Sequence, residues 1–176
     1  LNLKNPAKPF LQQTEFRQAL MLSINRQAIL DNLLLGQGIL ANGPILPGNW
    51  AYYLDLGSYG YDPDSAAQRI AALGITRNEA GVMVTSEGVE VRLVLLVPQD
   101  TLHQQIAEKI KQGWEAVGIS VDLLVEPHDQ VVARLEAHDY DAALVDIDLS
   151  GTPDPDPYPF WAQSQAQGGQ NYSQWS

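Results

Sequence analysis

The sequence predicts an α/β domain in which a mixed, mostly parallel sheet is flanked by helices. Residues 89–97, VEVRLVLLV, form an almost continuously apolar run, which is typical of a central strand buried on both faces. Residues 101–117 then carry apolar side chains at helical spacing, and a second apolar run follows at 121–125. A helix around 131–137 and a third run at 140–147 complete a β-α-β-α-β order, which favours right-handed crossovers between parallel strands.

The first half of the chain predicts three shorter helices and a hairpin. Thr14 can cap a first helix, Asn25 a second, and Asp62 a third in which proline follows the cap. The Gly- and Pro-rich stretch 41–60 is a long loop with several large aromatic side chains, which we expect to pack against another part of the protein. The Thr-Ser-Glu-Gly stretch at 85–88 separates two β-prone runs and predicts a hairpin turn.

The composition excludes several classes of function. A chain of 176 residues is long enough for one α/β core, so we expect a single domain over residues 1–176. The 21 acidic and 10 basic side chains give a net charge of −11, which repels phosphate backbones, so we expect no nucleic-acid partner. There is no cysteine, which excludes disulfides and thiolate metal or redox sites. No apolar run reaches the roughly 20 residues that cross a bilayer.

Polar residues follow the first and third strands of the predicted crossover unit. Gln99 lies in the loop after the first strand, and Asp146 and Asp148 lie at the end of the third. Because the carboxyl ends of parallel strands share one edge of a sheet, we expect these side chains to converge on a ligand. Asp146 and Asp148 are two apart on a predicted strand, so they should point the same way, and no helix clearly follows for them to cap.

Other polar residues at the same strand ends have a structural alternative. Asp100 or Thr101 can cap the helix after the first strand, and His128 or Asp129 can cap the helix after the second. We favour capping by one residue in each of these two loops, because aspartate and threonine prefer the N-cap position.

Every second residue from Pro153 to Pro159 is proline, which predicts a stiff, extended segment. Such a segment would present Asp154, Asp156 and Tyr158 in fixed directions, as an acidic and aromatic lip of a cleft. Trp161 follows as a further candidate for stacking on a ligand. A surface linker that packs Phe160 and Trp161 into the core is the alternative.

Metal and catalytic motifs are missing from the sequence. Asp146, Asp148, Asp154 and Asp156 could collect calcium, but the spacing of an EF-hand loop is absent. The histidines lie on different predicted elements without an HExxH pairing, so we expect surface histidines, no metal and no cofactor. We found no nucleophile elbow, Walker loop or dinucleotide fingerprint.

A serial set of motifs resembles the peptide/nickel-type solute-binding proteins of ABC importers. The set covers nearly the whole chain in order, and that order is more specific than any single piece. It comprises Phe16-Arg17-Gln18-Ala19-Leu20, Ile24-Asn25-Arg26, Gly36-Gln37-Gly38, Asn42-Gly43-Pro44, Pro47-Gly48-Asn49-Trp50, Tyr61-Asp62-Pro63, Trp114-Glu115-Ala116-Val117-Gly118, Tyr140-Asp141, Asp154-Pro155-Asp156-Pro157 and Asn171-Tyr172-Ser173.

The resemblance implies a periplasmic-binding-protein-like lobe, the second of a two-lobed protein, with residues 1–5 as the crossover strand between lobes. It also implies an extracytoplasmic location, in the periplasm or as a lipoprotein on the outer face of the cytoplasmic membrane. The expected partners are a peptide or similar small solute, the first lobe of the same protein and an ABC permease. In this picture the lobes close on the solute about a hinge, and Trp50, Tyr158 and Trp161 supply stacking surfaces.

Two departures leave the solute open. Dipeptide binders of the family carry an arginine for the peptide carboxylate where this chain has Gln104 and Gln105, and an aspartate after a Gly-Trp strand end where this chain has Asp146-Ile147-Asp148. Two other classes of function remain as alternatives: a hydrolase that uses Asp154 and Asp156, and the sensor domain of a transcription regulator.

Overall fold

The computed structural model describes residues 1–53, 55, 57–148 and 156–175. Its helices are α1 (Thr14–Leu22), α2 (Arg26–Leu33), α3 (Pro63–Ala72), α4 (Thr101–Ala116), α5 (His128–Glu136) and α6 (Tyr158–Trp161). Its strands are β1 (Thr76–Arg77), β2 (Met83–Val84), β3 (Arg92–Pro98), β4 (Ser120–Glu126) and β5 (Ala142–Ala143). Short 3-10 helices precede α1, at Pro9–Gln12, and follow α6, at Gln163–Gln165.

The main sheet confirms the predicted crossover unit. Its strand order is β4-β3-β5, and β3 pairs in parallel with both neighbours. Leu93 lies opposite Val121 and Leu95 opposite Ala142, so the apolar run of β3 is the centre of the sheet. A separate antiparallel pair, β1 with β2, gives the fold its mixed character.

Two strand predictions are wrong in extent. The turn at 85–88 forms, since the Thr85 amide donates to the Val89 carbonyl at 2.9 Å, but beyond it only an isolated bridge joins Val84 to Glu90. The strand predicted at 140–147 pairs with β3 only at β5 itself, followed by one hydrogen bond from the Leu144 amide to the Leu96 carbonyl, at 2.9 Å. The chain leaves the sheet after Leu144, so Asp146 and Asp148 are not strand residues.

The helix N-termini confirm three caps and correct two. The carboxamide or carboxylate oxygens of Asn25, Asp62 and Asp100 accept amide hydrogens at 2.9, 2.9 and 3.0 Å, which satisfies amides that have no partner within a helix. Thr14 is wrong as a cap, because α1 already begins there and Gln13 holds the cap position. Helix α5 begins at His128 with Pro127 at the cap, so His128 and Asp129 lie inside its first turn.

The core lies mainly on one face of the sheet. Side chains alternate along β3, so Leu93, Leu95 and Val97 face the larger cluster, with α1, α3 and α4, whereas Leu96 faces a smaller one under α5. The larger cluster contains Phe10, Phe16, Leu20, Ile70, Trp114 and Ile119. The indole Nε1 of Trp114 donates to the Leu20 carbonyl at 3.1 Å, which joins α4 to α1 through a buried hydrogen bond.

The first five residues form no strand within this chain, and their role as a crossover between lobes stays a prediction. Their backbone bonds to two separate segments instead of one partner strand: Asn2 donates to the Asp141 carbonyl at 2.9 Å and Leu3 to the Ser173 carbonyl at 3.0 Å. The Asn2 side chain also accepts the amide of Lys4 at 3.2 Å, which turns the chain. The segment is therefore fastened to the domain without a regular ladder.

Helix α4 lies against the end of α1 at a position that only glycine permits. A Cβ placed on Gly113 would lie 2.3 Å from the Ser23 carbonyl oxygen. Alanine in a helix gains about 1 kcal/mol over glycine, but overpacking of this kind costs about 1–3 kcal/mol. We expect Gly113→Ala to lower the free energy of unfolding in urea by up to about 2 kcal/mol, the difference between these two effects. Gly60→Ala is the control, since open space surrounds that position, and equal stability of the two variants would contradict the close approach.

Acid should destabilise the domain through paired carboxylates. Hydrogen bonds from Arg92 and Arg134 lower the pKa of Asp122 and Glu126, and bonds from Ser65 and His103 lower that of Asp62 and Asp100. A carboxyl group whose pKa is lowered by folding stabilises the folded state at a pH above its ordinary pKa, which is 3.8 for aspartate and 4.5 for glutamate. This stabilisation is lost as the pH falls below those values.

The urea midpoint should therefore fall as the pH drops below about 4.5. In Asp122→Asn the midpoint should depend less steeply on pH in that window. A wild-type midpoint that stays constant down to about pH 3 would contradict the assignment.

Candidate functional site

A cleft of about 760 Å³ opens at the carboxyl ends of β3 and β4 and beside the segment that follows β5. Helix α5 and the chain from α6 onward form its other walls. The lining residues are Pro98, Gln99, Asp100, His103, Pro127, His128, Val131, Val132, Leu135, Val145, Asp146, Ile147, Asp148, Phe160, Gln170 and Tyr172. The volume lies within the range of small-molecule and short-peptide sites.

Three of the seven residues predicted for the site line this cleft. Gln99, Asp146 and Asp148 meet there because β3 and β5 are parallel neighbours, and their following loops leave the sheet at one edge. The two aspartates share the cleft even though they are not on a strand. Both line it because residues 145–148 run along the cleft wall.

The other four predicted residues lie outside the lining of the cleft. Trp50 is 83% exposed in the long loop. The Asp156 carboxylate accepts the Tyr158 amide at 2.9 Å, and the Tyr158 hydroxyl lies 2.9 Å from the Ser164 hydroxyl. Trp161 lines a smaller cavity of about 150 Å³ that shares a wall with the cleft. Residues 149–155, which include Asp154 and much of the proline segment, lie outside the described part of the chain.

The long loop packs only in part against the described residues, since Tyr52 is half-buried. Trp50 and Tyr53 are both exposed. The ends of the loop are fastened by Arg26, whose guanidinium donates to the Ala41 carbonyl at 3.0 Å and to the Tyr59 carbonyl at 3.1 Å. This contact holds the ends of the loop and leaves its aromatic tip in solvent.

Helix α6 turns one aromatic side chain toward the cleft and the next away from it. Phe160 lines the cleft, and Trp161 packs edge-on against it with ring centroids 5.6 Å apart. Both rings are partly exposed, so they are not core residues. Nor is Trp161 the ring that faces the cleft. Phe160 faces the cleft because of the direction in which α6 turns. Residue spacing in a proline-rich segment does not predict that direction.

His103 joins two acidic residues at the rim of the cleft. Its Nδ1 lies 2.6 Å from Asp100 Oδ2 and its Nε2 lies 3.3 Å from Asp146 Oδ1. Because a carboxylate only accepts hydrogen bonds, Nδ1 carries the proton toward Asp100. The His103 side chain is 15% exposed and Asp146 is 86% exposed, so the expectation of a surface histidine is wrong at this position.

Asp100 is committed to this arrangement. The His103 amide and ring together lower the pKa of Asp100, with the amide as the larger cause. Asp100 thus remains a carboxylate that caps α4 and orients the histidine ring. The sequence indicated the cap. It did not indicate the contact between His103 and Asp146, because these residues follow different strands.

The wall formed by the C-terminal segment depends on Asn171, which is fully buried. Its Nδ2 donates to the carbonyls of Ala162 and Trp175, both at 3.1 Å, and its Oδ1 accepts the Ser173 hydroxyl at 2.8 Å. The Tyr140 hydroxyl donates to the Tyr172 carbonyl, and burial raises the pKa of Tyr140. These bonds hold the side chains of Gln170 and Tyr172 at the cleft, and sequence reasoning missed both of them.

The lining combines acidic and apolar side chains. It includes Asp100, Asp146 and Asp148, and no lysine or arginine among the described residues. Nor do those residues bring together three or more histidine, aspartate or glutamate side chains in a way that could hold a metal ion. The apolar members are Val131, Val132, Leu135, Val145, Ile147 and Phe160.

Residues 1–170 match the family described as bacterial extracellular solute-binding proteins, family 5 Middle. The chain belongs to this family. It is 29% identical over 172 residues to di/tripeptide-binding protein 1 of Pseudomonas aeruginosa, which covers 96% of this chain and 30% of that protein. It is 25% identical over 172 residues to the dipeptide-binding protein of Escherichia coli, covering 97% of this chain and 31% of that protein.

A solved structure has the same fold as this chain. The oligopeptide-binding protein AppA of Bacillus subtilis, in complex with a nonapeptide, matches with a TM-score of 0.87 at 26% identity, over 99% of this chain and 35% of that one. The chain thus spans about a third of the length of the relatives that it matches. Among the described residues, no helix combines the length and apolar character needed to cross a membrane.

We expect Asn171→Ala to loosen the C-terminal wall of the cleft. The substitution leaves two carbonyls and the Ser173 hydroxyl without their partner, at a cost of about 1–3 kcal/mol in the free energy of unfolding. Thermal unfolding measures the loss, and faster amide exchange in residues 160–175 locates it. Asn32→Ala, at an exposed position on α2, should change stability by less than about 0.5 kcal/mol. Equal effects of the two variants would argue against the role of Asn171.

Proposed function

We propose that this chain is one lobe of a solute-binding protein that captures a peptide or similar small solute and delivers it to an ABC permease. The observation that carries the proposal is the cleft at the carboxyl edge of the parallel sheet, open on one side and lined by both polar and apolar groups. Such an edge is the usual ligand position in open α/β sheets. The names of the Pseudomonas and Escherichia relatives and the nonapeptide bound to AppA support a peptide.

In this proposal the solute is held by residues after β3, after β5 and on α6. Gln99 offers an amide, Asp146 and Asp148 offer carboxylates, and Phe160 offers an apolar face. Four predicted site residues do not line the cleft of this lobe, so they stay candidates only for contacts across its open side. They are Trp50, Asp156, Tyr158 and Trp161.

A first lobe of the same protein covers the open side and closes on the solute about a hinge. The length of the relatives supports this, since the chain spans about a third of them. Residues 1–5, the proposed connection to that lobe, are hydrogen-bonded to segments next to the cleft. Their backbone bonds reach Asp141, just before β5, and Ser173, just after the cleft residue Tyr172.

The proposed location is extracytoplasmic, either free in a periplasm or as a lipoprotein on the outer face of the cytoplasmic membrane. The family description names extracellular proteins, which supports a location outside the cytoplasm.

The hydrolase and sensor alternatives gain no support from the site. Asp156 is engaged as the acceptor of the Tyr158 amide and lies outside the lining of the cleft. The relatives are named as binding proteins, which favours capture of a solute over catalysis.

Calorimetric titration of the intact solute-binding protein with a nonapeptide of mixed sequence tests the proposal. Phe160→Ala removes the aromatic wall and should weaken binding about tenfold, as expected for a central aromatic contact. The control is Tyr53→Ala, which removes an exposed ring in the long loop and should leave the affinity within about twofold. An affinity that Phe160→Ala leaves unchanged, with both proteins folded, would place the solute elsewhere.

A further inference from the structure

One asparagine of the sequence is followed by glycine, and this step, Asn42-Gly43, lies in the long loop 41–60. Most backbone amides of a domain are hydrogen-bonded, and those of residues other than glycine are also shielded by their own Cβ. The Gly43 amide has neither protection, since glycine has no Cβ and this amide donates no hydrogen bond to the described residues. Its nitrogen is therefore accessible to the side chain that precedes it.

The side chain of Asn42 lies beside a fixed positive charge. Asn42 is exposed, and its Oδ1 accepts a hydrogen bond from Arg26 Nη2 at 3.3 Å. The same guanidinium donates to the Ala41 carbonyl at 3.0 Å and to the Tyr59 carbonyl at 3.1 Å, so two further contacts hold it in place. Because arginine stays protonated in proteins, this charge is present at every physiological pH.

A carboxamide next to an unshielded backbone nitrogen can react in two steps. In the first step, the Gly43 nitrogen bonds to Cγ of Asn42 and the bond from Cγ to Nδ2 breaks. Ammonia leaves with the proton of the attacking amide, and a five-membered succinimide remains. In the second step, water opens the ring on one side of the nitrogen or the other, which gives aspartate or isoaspartate. Water is the only co-reactant.

Arg26 acts on the first of these steps. Attack on Cγ moves negative charge onto Oδ1, and a donor that is already aimed at this oxygen stabilises the charge as it develops. Because the site is exposed to water, the gain is small, of the order found for an exposed ion pair. Asn49 in the same loop differs, since its Oδ1 accepts the Ala51 amide at 2.9 Å and the bulky Trp50 follows it.

We propose that Asn42 is a site of spontaneous deamidation and that Arg26 promotes the reaction. The aspartate product keeps a side-chain oxygen for Arg26 and adds a negative charge, so it retains the fastening of the loop. The isoaspartate product adds one methylene to the main chain next to the Ala41 carbonyl that Arg26 holds. Only this second product loosens the loop.

Ageing of the intact solute-binding protein at mildly alkaline pH, followed by peptide mapping with mass spectrometry, tests the site. Asn42 should convert severalfold faster than Asn49, the internal control in the same loop. Gly43→Ala should slow the conversion of Asn42, because the added Cβ shields the attacking nitrogen. Conversion of Asn42 no faster than that of Asn49 overturns the proposal, and a rate that Gly43→Ala leaves unchanged overturns the succinimide route.

The role of Arg26 has a separate readout. Arg26→Gln removes the charge and should slow the conversion of Asn42 about threefold, whereas Arg26→Lys keeps the charge and should give an intermediate rate. Each rate is divided by that of Asn49 in the same protein, which corrects for a general loosening of the loop. An equal or faster relative rate in Arg26→Gln overturns the promoting role.

Amide exchange tests the effect on the loop. Ion-exchange chromatography separates the modified protein from the unmodified one by its added charge, and the variant Asn42→Asp represents the pure aspartate form. Amides of residues 41–53 should exchange faster in the aged fraction that contains isoaspartate than in the unmodified protein, while Asn42→Asp should match the unmodified protein. Equal exchange in all three overturns the loosening of the loop.

Discussion

Strand β3 (Arg92–Pro98) pairs in parallel with a strand on each side, and the rest of the domain follows from this pairing. Parallel neighbours cannot be joined by a tight turn, so α4 and α5 must cross over between them. The same geometry sends the loops after β3, β4 and β5 to one edge, where the cleft lies. Burial of β3 on both faces requires an apolar sequence, which is why its run of aliphatic residues was the clearest signal in the chain.

Polar side chains then fasten segments that lie far apart in sequence. Asp141 is 7% exposed, and its carboxylate accepts the Val94 amide at 2.9 Å and the Asn5 side chain at 2.7 Å. A buried carboxylate is tolerated only when such partners replace water. Asn171 performs the same task for the C-terminal segment. Asp141 thus joins residues 1–5 to β3, and Asn171 holds together the wall that carries Tyr172.

The cleft takes its shape from the sheet and its chemistry from residues on separate elements. Asp100 serves first as the cap of α4, and by that role it orients His103 toward Asp146. One carboxylate thus caps a helix and shapes the rim of the cleft, so substitution of Asp100 would disturb both. The apolar side of the cleft similarly continues the core under α5.

The sequence by itself determined the crossover unit, the caps at Asn25 and Asp62, the choice of Asp100 or Thr101 as the cap of α4, and the family, because these depend on local residue order. It also indicated that Gln99, Asp146 and Asp148 would share an edge, since parallel strands leave no other arrangement. Only the tertiary structure decided that β5 is short, that Phe160 and not Trp161 faces the cleft, and that His103, Gln170 and Tyr172 line it. Those outcomes depend on contacts between elements tens of residues apart, such as His103 with Asp146 and Tyr140 with Tyr172, and no local pattern records such contacts.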